Sequence, residues 1–227
     1  MTRPSPANLR AFVRRSTSLR PVADLPHIRL HTAADVTVAW RLAGTELDLT
    51  DPPLPFWAFP WAGGLAVARY LEEHPGEVHG RRVMDLASGS GLCAIQAAFH
   101  GAASVHAFDV DPLAEAAVSL NARANGVRVA FSLADILADD PPTEFDVILA
   151  GDVFYEETMA RRMVEWLGAA SIAGARVLMG SPDRRYVPDG LERLASYRVR
   201  TTRELERAET TASTVYTFRP DCLTPRA

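Results

Sequence analysis

At 227 residues, with 48% hydrophobic and 23% charged side chains, the chain has ordinary globular composition and is long enough for one large domain, or for a domain with a short arm. Disordered and collagen-like classes are excluded. The formal net charge of -4 offers no basic footprint for nucleic acid, and no apolar stretch approaches the ~18 residues that would cross a bilayer, so neither partner is expected. All 24 basic residues are Arg, which removes any catalytic lysine. Cys93 and Cys222 lack the spacing of a disulfide framework or a zinc site, so no metal is expected.

In chain order, the first 23 residues hold five Arg, several Ser and no acid. Transit peptides share that composition, but Leu9, Phe12 and Val13 fall on one face of a short helix and predict an ordered arm. Residues 1–60, rich in proline and without a glycine-rich turn, are expected to form an N-terminal arm and lid segment over the ligand end of the main domain, residues 61–227. The stretch "FWAFPWAGG" places four large aromatics and a proline just before a helical pattern, "LAVARYLEEH". It reads as a lid, with Trp61 against a bound ligand and Trp57 lining a substrate channel; the competing reading is a cluster at the core edge.

From residue 81 short apolar strands alternate with helical stretches. The strands are "RVMDLA", "SVHAF", "VRVAF", "FDVILAG" and "ARVLMG", followed by "YRVRTT" and "TVYTF". Between the second and third, Asp111 can cap a helix with Pro112 in its first turn, Leu113, Ala116, Ala117 and Leu120 on one face, and Gly126 at its end. Such alternation predicts an α/β fold with a mostly parallel sheet and helices on both faces. The last two strands, without a long helix between them, are expected to pair as an antiparallel hairpin.

Open α/β sheets bind ligands beyond the carboxyl ends of their strands. Those ends read Asp85 to Gly91, Asp109 to Asp111, Asp135 with Ile136, and Gly151-Asp152. The first, "VMDLASGSGLCAIQAA", is a strand, a glycine-rich turn and a helix, and it satisfies the dinucleotide fingerprint. The carboxylates decide against a dinucleotide. At ~5 Å and an effective dielectric of ~20, Asp85 would repel a pyrophosphate by on the order of 3 kcal/mol. S-adenosylmethionine carries an ammonium and a sulfonium but no phosphate, so the same carboxylate attracts it. Asp109 then suits the ribose hydroxyls, and Asp135 an adenine amino group. The expected cofactor contacts are Trp61, Asp85, Ala87, Gly89, Ser90, Gly91, Asp109, Val110, Asp135, Ile136 and Gly151. A nicotinamide dehydrogenase survives only if Asp85 points away from the pocket.

Together with "HAFDVDPLA", "NARANGV" and "FDVILAGDVFYEE", the glycine-turn segment resembles class I, seven-strand S-adenosylmethionine-dependent methyltransferases, whose Rossmann-like sheet it implies over residues 81 to about 218. "PPLPFWAFPWAGGLAVARYLEEHP", "GDVFYEE" and "TTASTVYTFRP" further resemble the protein lysine methyltransferases acting on the electron transfer flavoprotein beta subunit, in bacterial relatives. The resemblance implies a protein substrate, S-adenosylhomocysteine as the product, and a cytoplasmic setting in a bacterium or the mitochondrial matrix in a eukaryote. It also makes "DVFY" a D-x-x-Y signature, with Asp152 orienting the lysine ammonium, Tyr155 offering a hydroxyl or cation-binding face, and Glu156 attracting a basic segment. The competing reading makes Phe154 and Tyr155 packing residues and Glu156 with Glu157 a helix cap. "DPPL" at 51–54 and "DPPT" at 140–143 are loops, because the D/N-P-P-Y signature they suggest belongs directly after the fourth strand. Two rival functions stand beside this one: methylation of ribosomal-protein lysines, and a cofactor-binding interaction module without turnover.

Chemistry sets a requirement on any lysine acceptor. With a reference pKa of ~10.4, about one amine in 2,500 is neutral at pH 7, a handicap of ~4.6 kcal/mol. A nearby carboxylate raises that pKa further, so Asp152 can orient the acceptor but cannot by itself activate it.

Overall fold

The computed structural model describes residues 4–47, 53–182, 184–201 and 208–219. Seven strands form one sheet: β3 (Arg82–Leu86), β4 (Ser104–Asp109), β5 (Ala130–Leu133), β6 (Val147–Gly151), β7 (Arg176–Pro182), β8 (Glu192–Arg200) and β9 (Thr210–Thr217). Their order is β5-β4-β3-β6-β7-β9-β8, with β3 to β7 parallel and β9 antiparallel to both β7 and β8. The chain runs outward from β3 in one direction, then returns to begin again with β6 on its other side. That reversal opens a crevice between the carboxyl ends of β3 and β6.

Strand periodicity sorts the core into two layers. Val83, Val105, Ala107, Val147, Leu149 and Leu178 face one way, onto α3 (Ala62–Glu73), α4 (Leu92–Phe99) and α5 (Pro112–Ala124). Met84, Leu86, Ile148, Ala150, Val177 and Met179 face the other way, onto α6 (Glu157–Ile172). Helix α5 starts as expected: Asp111 accepts from the Leu113 N–H and Pro112 occupies the first turn.

The N-terminal segment holds more structure than its sequence announced. Helix α1 (Pro6–Ser16) buries Leu9, Phe12 and Val13, but an antiparallel pair follows, β1 (Ser18–Val22) with β2 (Leu25–Thr32), and then α2 (Val36–Glu46). Prolines at 21 and 26 hide the strands, and the β-branched run Val36-Thr37-Val38 disguises a helix that buries only Ala39 and Ala43. This segment packs on α4 and α5, along a face of the sheet, rather than over its ligand end. Of the described residues in this segment, only those within 53–61 line the crevice.

Two strands also begin where local pattern does not say. β5 starts at Ala130, the residue paired with His106, three residues after the apolar run begins. β8 extends back to Glu192 as an edge strand whose exposed charges discourage edge-to-edge association. Loop 140–143 is irregular, as read, while Asp51, Pro52 and Cys222 lie outside the described residues. Among the described residues no helix is long and apolar enough to cross a membrane.

One close approach locks α3 onto the sheet. A Cβ at Gly180 would sit 2.0 Å from the Gly63 carbonyl oxygen, and one at Gly63 would sit 2.4 Å from the Gly180 carbonyl oxygen. Backbone stands against backbone there, so nothing can yield cheaply. Gly180→Ala is expected to destabilise the protein by about 2 kcal/mol or more in urea denaturation. Gly76→Ala, where a Cβ meets nothing within 4 Å, should stay within about 0.5 kcal/mol of the parent.

Candidate active site

A cavity of about 490 Å³ occupies the β3/β6 crevice, within the range of small-molecule sites. It is lined by the ends of β3, β4 and β6, the turn into α4, the loop after β5, residues 53–61, and Arg184 beyond β7. Among the described residues, both non-glycine positions with positive φ lie here, Ala87 at +53° after β3 and Asp152 at +61° after β6. Backbone strain is thus concentrated at the ends of the two central strands.

The glycine turn is built by carboxylates. Gly89 and Gly91 adopt φ of +53° and +81°, which a side chain would resist. The Gly89 N–H donates to Asp109 Oδ2 at 2.9 Å, the Ala94 N–H to Asp85 Oδ2 at 3.1 Å, and the Gly91 N–H to the Ser88 carbonyl at 2.9 Å. Those amides would form the phosphate cradle of a dinucleotide site. Here the protein's own acceptors fill them.

Asp85 is 2% exposed, lines the cavity and also accepts from the Ser88 hydroxyl. Burial pushes its pKa up to about 7, against the pull of those hydrogen bonds and helped by the charge of Asp109. Asp111 is raised to about 6, mainly by burial, and Asp109 is raised for the same reason. Asp135 lines the cavity while capping the short turn Ile136–Ala138 and pairing with Arg162 at 3.2 Å. The charge ring is therefore real, and its inner members hold their protons more tightly than ordinary carboxylates. A cation is the ligand that such a ring favours.

Aromatic residues form the opposite wall. The rings of Trp61, Phe56 and Tyr155 follow one another at 5.5 and 5.2 Å between centroids, and Trp61 Nε1 donates to the Phe56 carbonyl at 3.0 Å. Trp57 contributes to the wall, yet its ring is buried edge-to-face on Phe12 and anchors the N-terminal segment. Tyr155 is 46% exposed at the cavity mouth. Its phenol is held protonated by burial first and then by Asp109, Glu156 and Asp152.

Asp152 is a junction of three elements. Its N–H donates to the Gly180 carbonyl at 2.7 Å, its Oδ2 accepts from the Gly63 N–H at the start of α3, and Arg184 grips both oxygens at 3.0 and 3.1 Å. The side chain is 4% exposed. Glu156, by contrast, spends both oxygens on the Thr158 and Met159 N–H groups and caps α6. That is the helix-capping alternative of its two readings, and Phe154 is fully buried packing.

Of the cofactor candidates, Trp61, Asp85, Ala87, Gly89, Ser90, Asp109, Val110, Asp135, Ile136 and Gly151 line this cavity, whereas Gly91 does not and serves as the N-cap of α4. Sequence reasoning did not assign Arg184, Phe56 or the pair Gly63-Gly64 to the site. Arg184 was findable, because the strand-end rule applied to "ARVLMG" leads straight to it.

Three comparisons with known proteins bear on this site. The family model "Ribosomal protein L11 methyltransferase (PrmA)" matches residues 68–154. The electron transfer flavoprotein beta subunit lysine methyltransferase of Rattus norvegicus is 33% identical over 219 residues, covering 93% of this chain and 85% of the relative. The protein of the same description from Danio rerio is 36% identical over 177 residues, covering 74% and 69%. A solved structure described as "Conversion of a Disulfide Bond into a Thioacetal Group during Echinomycin Biosynthesis" superposes with a TM-score of 0.52 at 18% identity, over 81% of this chain and 92% of that one. It shares the fold.

Asp85 has a measurable signature. Because its folded pKa of about 7 lies above the ordinary value of 3.8, the native state binds the extra proton. Wild-type stability is then lost as pH rises from about 4 to about 7, and the loss is constant above. Asp85→Asn does not titrate. Urea denaturation at stepped pH should show the difference between the two proteins moving in the variant's favour across that window, by roughly 2–4 kcal/mol in total. A flat difference would mean Asp85 is an ordinary carboxylate.

Proposed function

The chain belongs to the electron transfer flavoprotein beta subunit lysine methyltransferase family, and from that premise we propose that it methylates lysine side chains of the electron transfer flavoprotein beta subunit. The observation that carries the reading is the cavity's charge pattern: Asp85, Asp109, Asp111, Asp135 and Asp152 against Arg184, with the Gly89 and Ala94 amides already bonded to carboxylates. Such a donor set fits a cationic, phosphate-free cofactor and rejects a pyrophosphate. Bound there, S-adenosylmethionine supplies a methyl group on a sulfonium sulfur and leaves as the thioether S-adenosylhomocysteine.

Asp109, whose Oδ1 accepts from the Asp111 N–H, would hold ribose hydroxyls. Asp85 offers a carboxylate to positive charge, and Trp61 with Phe56 closes an apolar wall that excludes water. Asp135 and Ile136 flank the adenine position, with Val110 at its rim. On the acceptor side, Asp152 Oδ1 carries one hydrogen bond, from Arg184, while Oδ2 carries two. An acceptor amine can donate to the remaining lone pair of Oδ1 and so be aligned for attack. Tyr155, protonated and at the mouth, presents a ring face or a hydroxyl to the arriving side chain. None of these steps calls for a metal.

The test is mass spectrometry of purified electron transfer flavoprotein beta subunit after incubation with the protein and S-adenosylmethionine. One-methyl increments on its lysines are the expected result. A modified ribosomal protein in lysate from a strain lacking the enzyme, with the beta subunit unmodified, would overturn the substrate. Cofactor binding without any methylated product would leave a binding module.

A further inference from the structure

We infer that Arg184 is a positioning residue that cancels the charge of Asp152, so that the acceptor subsite receives a neutral amine rather than an ammonium ion. The inference rests on the acceptor-side reading of Asp152 just given. Five carboxylates line the cavity, and among the described residues Arg184 is the sole cationic side chain that does. Its guanidinium grips both carboxylate oxygens of Asp152, through two hydrogen bonds of 3.0 and 3.1 Å.

The choice of carboxylate is informative. Asp135 is paired on the outside by Arg162, and Asp109 and Asp111 accept backbone N–H groups. Asp152 is the member to which the functional reading assigns the acceptor. With side chains 4% and 26% exposed, Asp152 and Arg184 are poorly screened by water. Left alone, a carboxylate within ~4–6 Å of a lysine would raise its pKa by roughly 1–3 units. That would deepen a handicap already near ~4.6 kcal/mol at pH 7. The guanidinium stays charged at every accessible pH and offsets this field while leaving Oδ1 able to accept one more hydrogen bond.

The remaining ionisable groups around the cavity provide no substitute. Tyr155 beyond β6 and Cys93 on α4 are held protonated by burial, Asp85 lies at the β3 end, and Glu156 is occupied as the α6 cap. The lysine ammonium therefore gives its proton to water. The nitrogen lone pair then forms the N–C bond while the C–S bond of the methyl donor breaks, and that electron pair goes to sulfur. Positive charge passes from sulfur to nitrogen, and the methylated ammonium loses a proton to water before a further round.

The experiment is single-turnover methyl transfer to the flavoprotein beta subunit across pH, with saturating S-adenosylmethionine, for wild type, Arg184→Gln and Arg184→Lys. In wild type the rate should rise with an apparent pKa below the ~10.4 of free lysine. In Arg184→Gln that limb should move up by about one unit or more, so the rate near pH 7 falls about tenfold or more while the rates converge at high pH. Arg184→Lys, which keeps the charge and loses the fork, should keep the wild-type limb at a lower plateau. A uniform loss in Arg184→Gln with an unmoved limb, or a limb in Arg184→Lys shifted like that of Arg184→Gln, would overturn the proposal and leave Arg184 a structural residue. A wild-type limb at or above ~10.4 overturns it without any variant, should Arg184→Gln fail to fold. A wild type that methylates nothing overturns the functional reading and this inference together.

Discussion

The buried carboxylate of Asp152 is the constraint around which the rest of the site is arranged. Its backbone sits at φ +61°, a conformation that costs a non-glycine residue on the order of 1 kcal/mol or more. Three elements hold it there: β7 through the Gly180 carbonyl, α3 through the Gly63 N–H, and the loop beyond β7 through Arg184. Each hold has its own prerequisite. The Gly63 amide reaches Asp152 only because Gly63, Gly151 and Gly180 let helix and strand backbones touch. Packing of α3 and placement of the acceptor carboxylate are thus one structural fact.

Charge then explains what the cavity can hold. A glycine turn before a helix ordinarily offers amides to an anion, but here Asp85 and Asp109 reach back and take them. The same sequence motif that reads as a dinucleotide fingerprint becomes, with two carboxylates folded into it, a site for a cation. The inner carboxylates are buried enough that Asp85 titrates at about 7, so the attraction strengthens once a positive ligand favours its ionised form. On the acceptor side a cation would be an obstacle rather than an aid, and there the structure adds Arg184.

Much of this was legible in the sequence, and the parts that were not share a cause. The strand ends could be read because parallel strands buried on both faces are apolar runs, and the acids that follow them stand out. Asp111 with Pro112 and the Gly89 to Gly91 turn are local devices, and they appear where local reasoning puts them. The β1/β2 pair, α2 and the start of β8 were hidden because tertiary partners, not local pattern, stabilise them. Glu156 illustrates a further limit: a capping carboxylate and a substrate-facing one look alike until the Thr158 and Met159 amides are placed. The Asp152–Arg184 pair spans 32 residues, and spacing alone carries no sign of it.

The most direct test of the account is the single-turnover methyl-transfer rate of Asp152→Asn at saturating S-adenosylmethionine. Asparagine tolerates the left-handed backbone, and its oxygen can still accept from the Gly63 amide, which leaves a donor NH2 where Oδ1 would accept from the acceptor amine. The account expects transfer to the flavoprotein beta subunit to fall by about a hundredfold or more with cofactor binding preserved. Transfer within a few-fold of wild type would contradict it, and would place the acceptor elsewhere in the cavity.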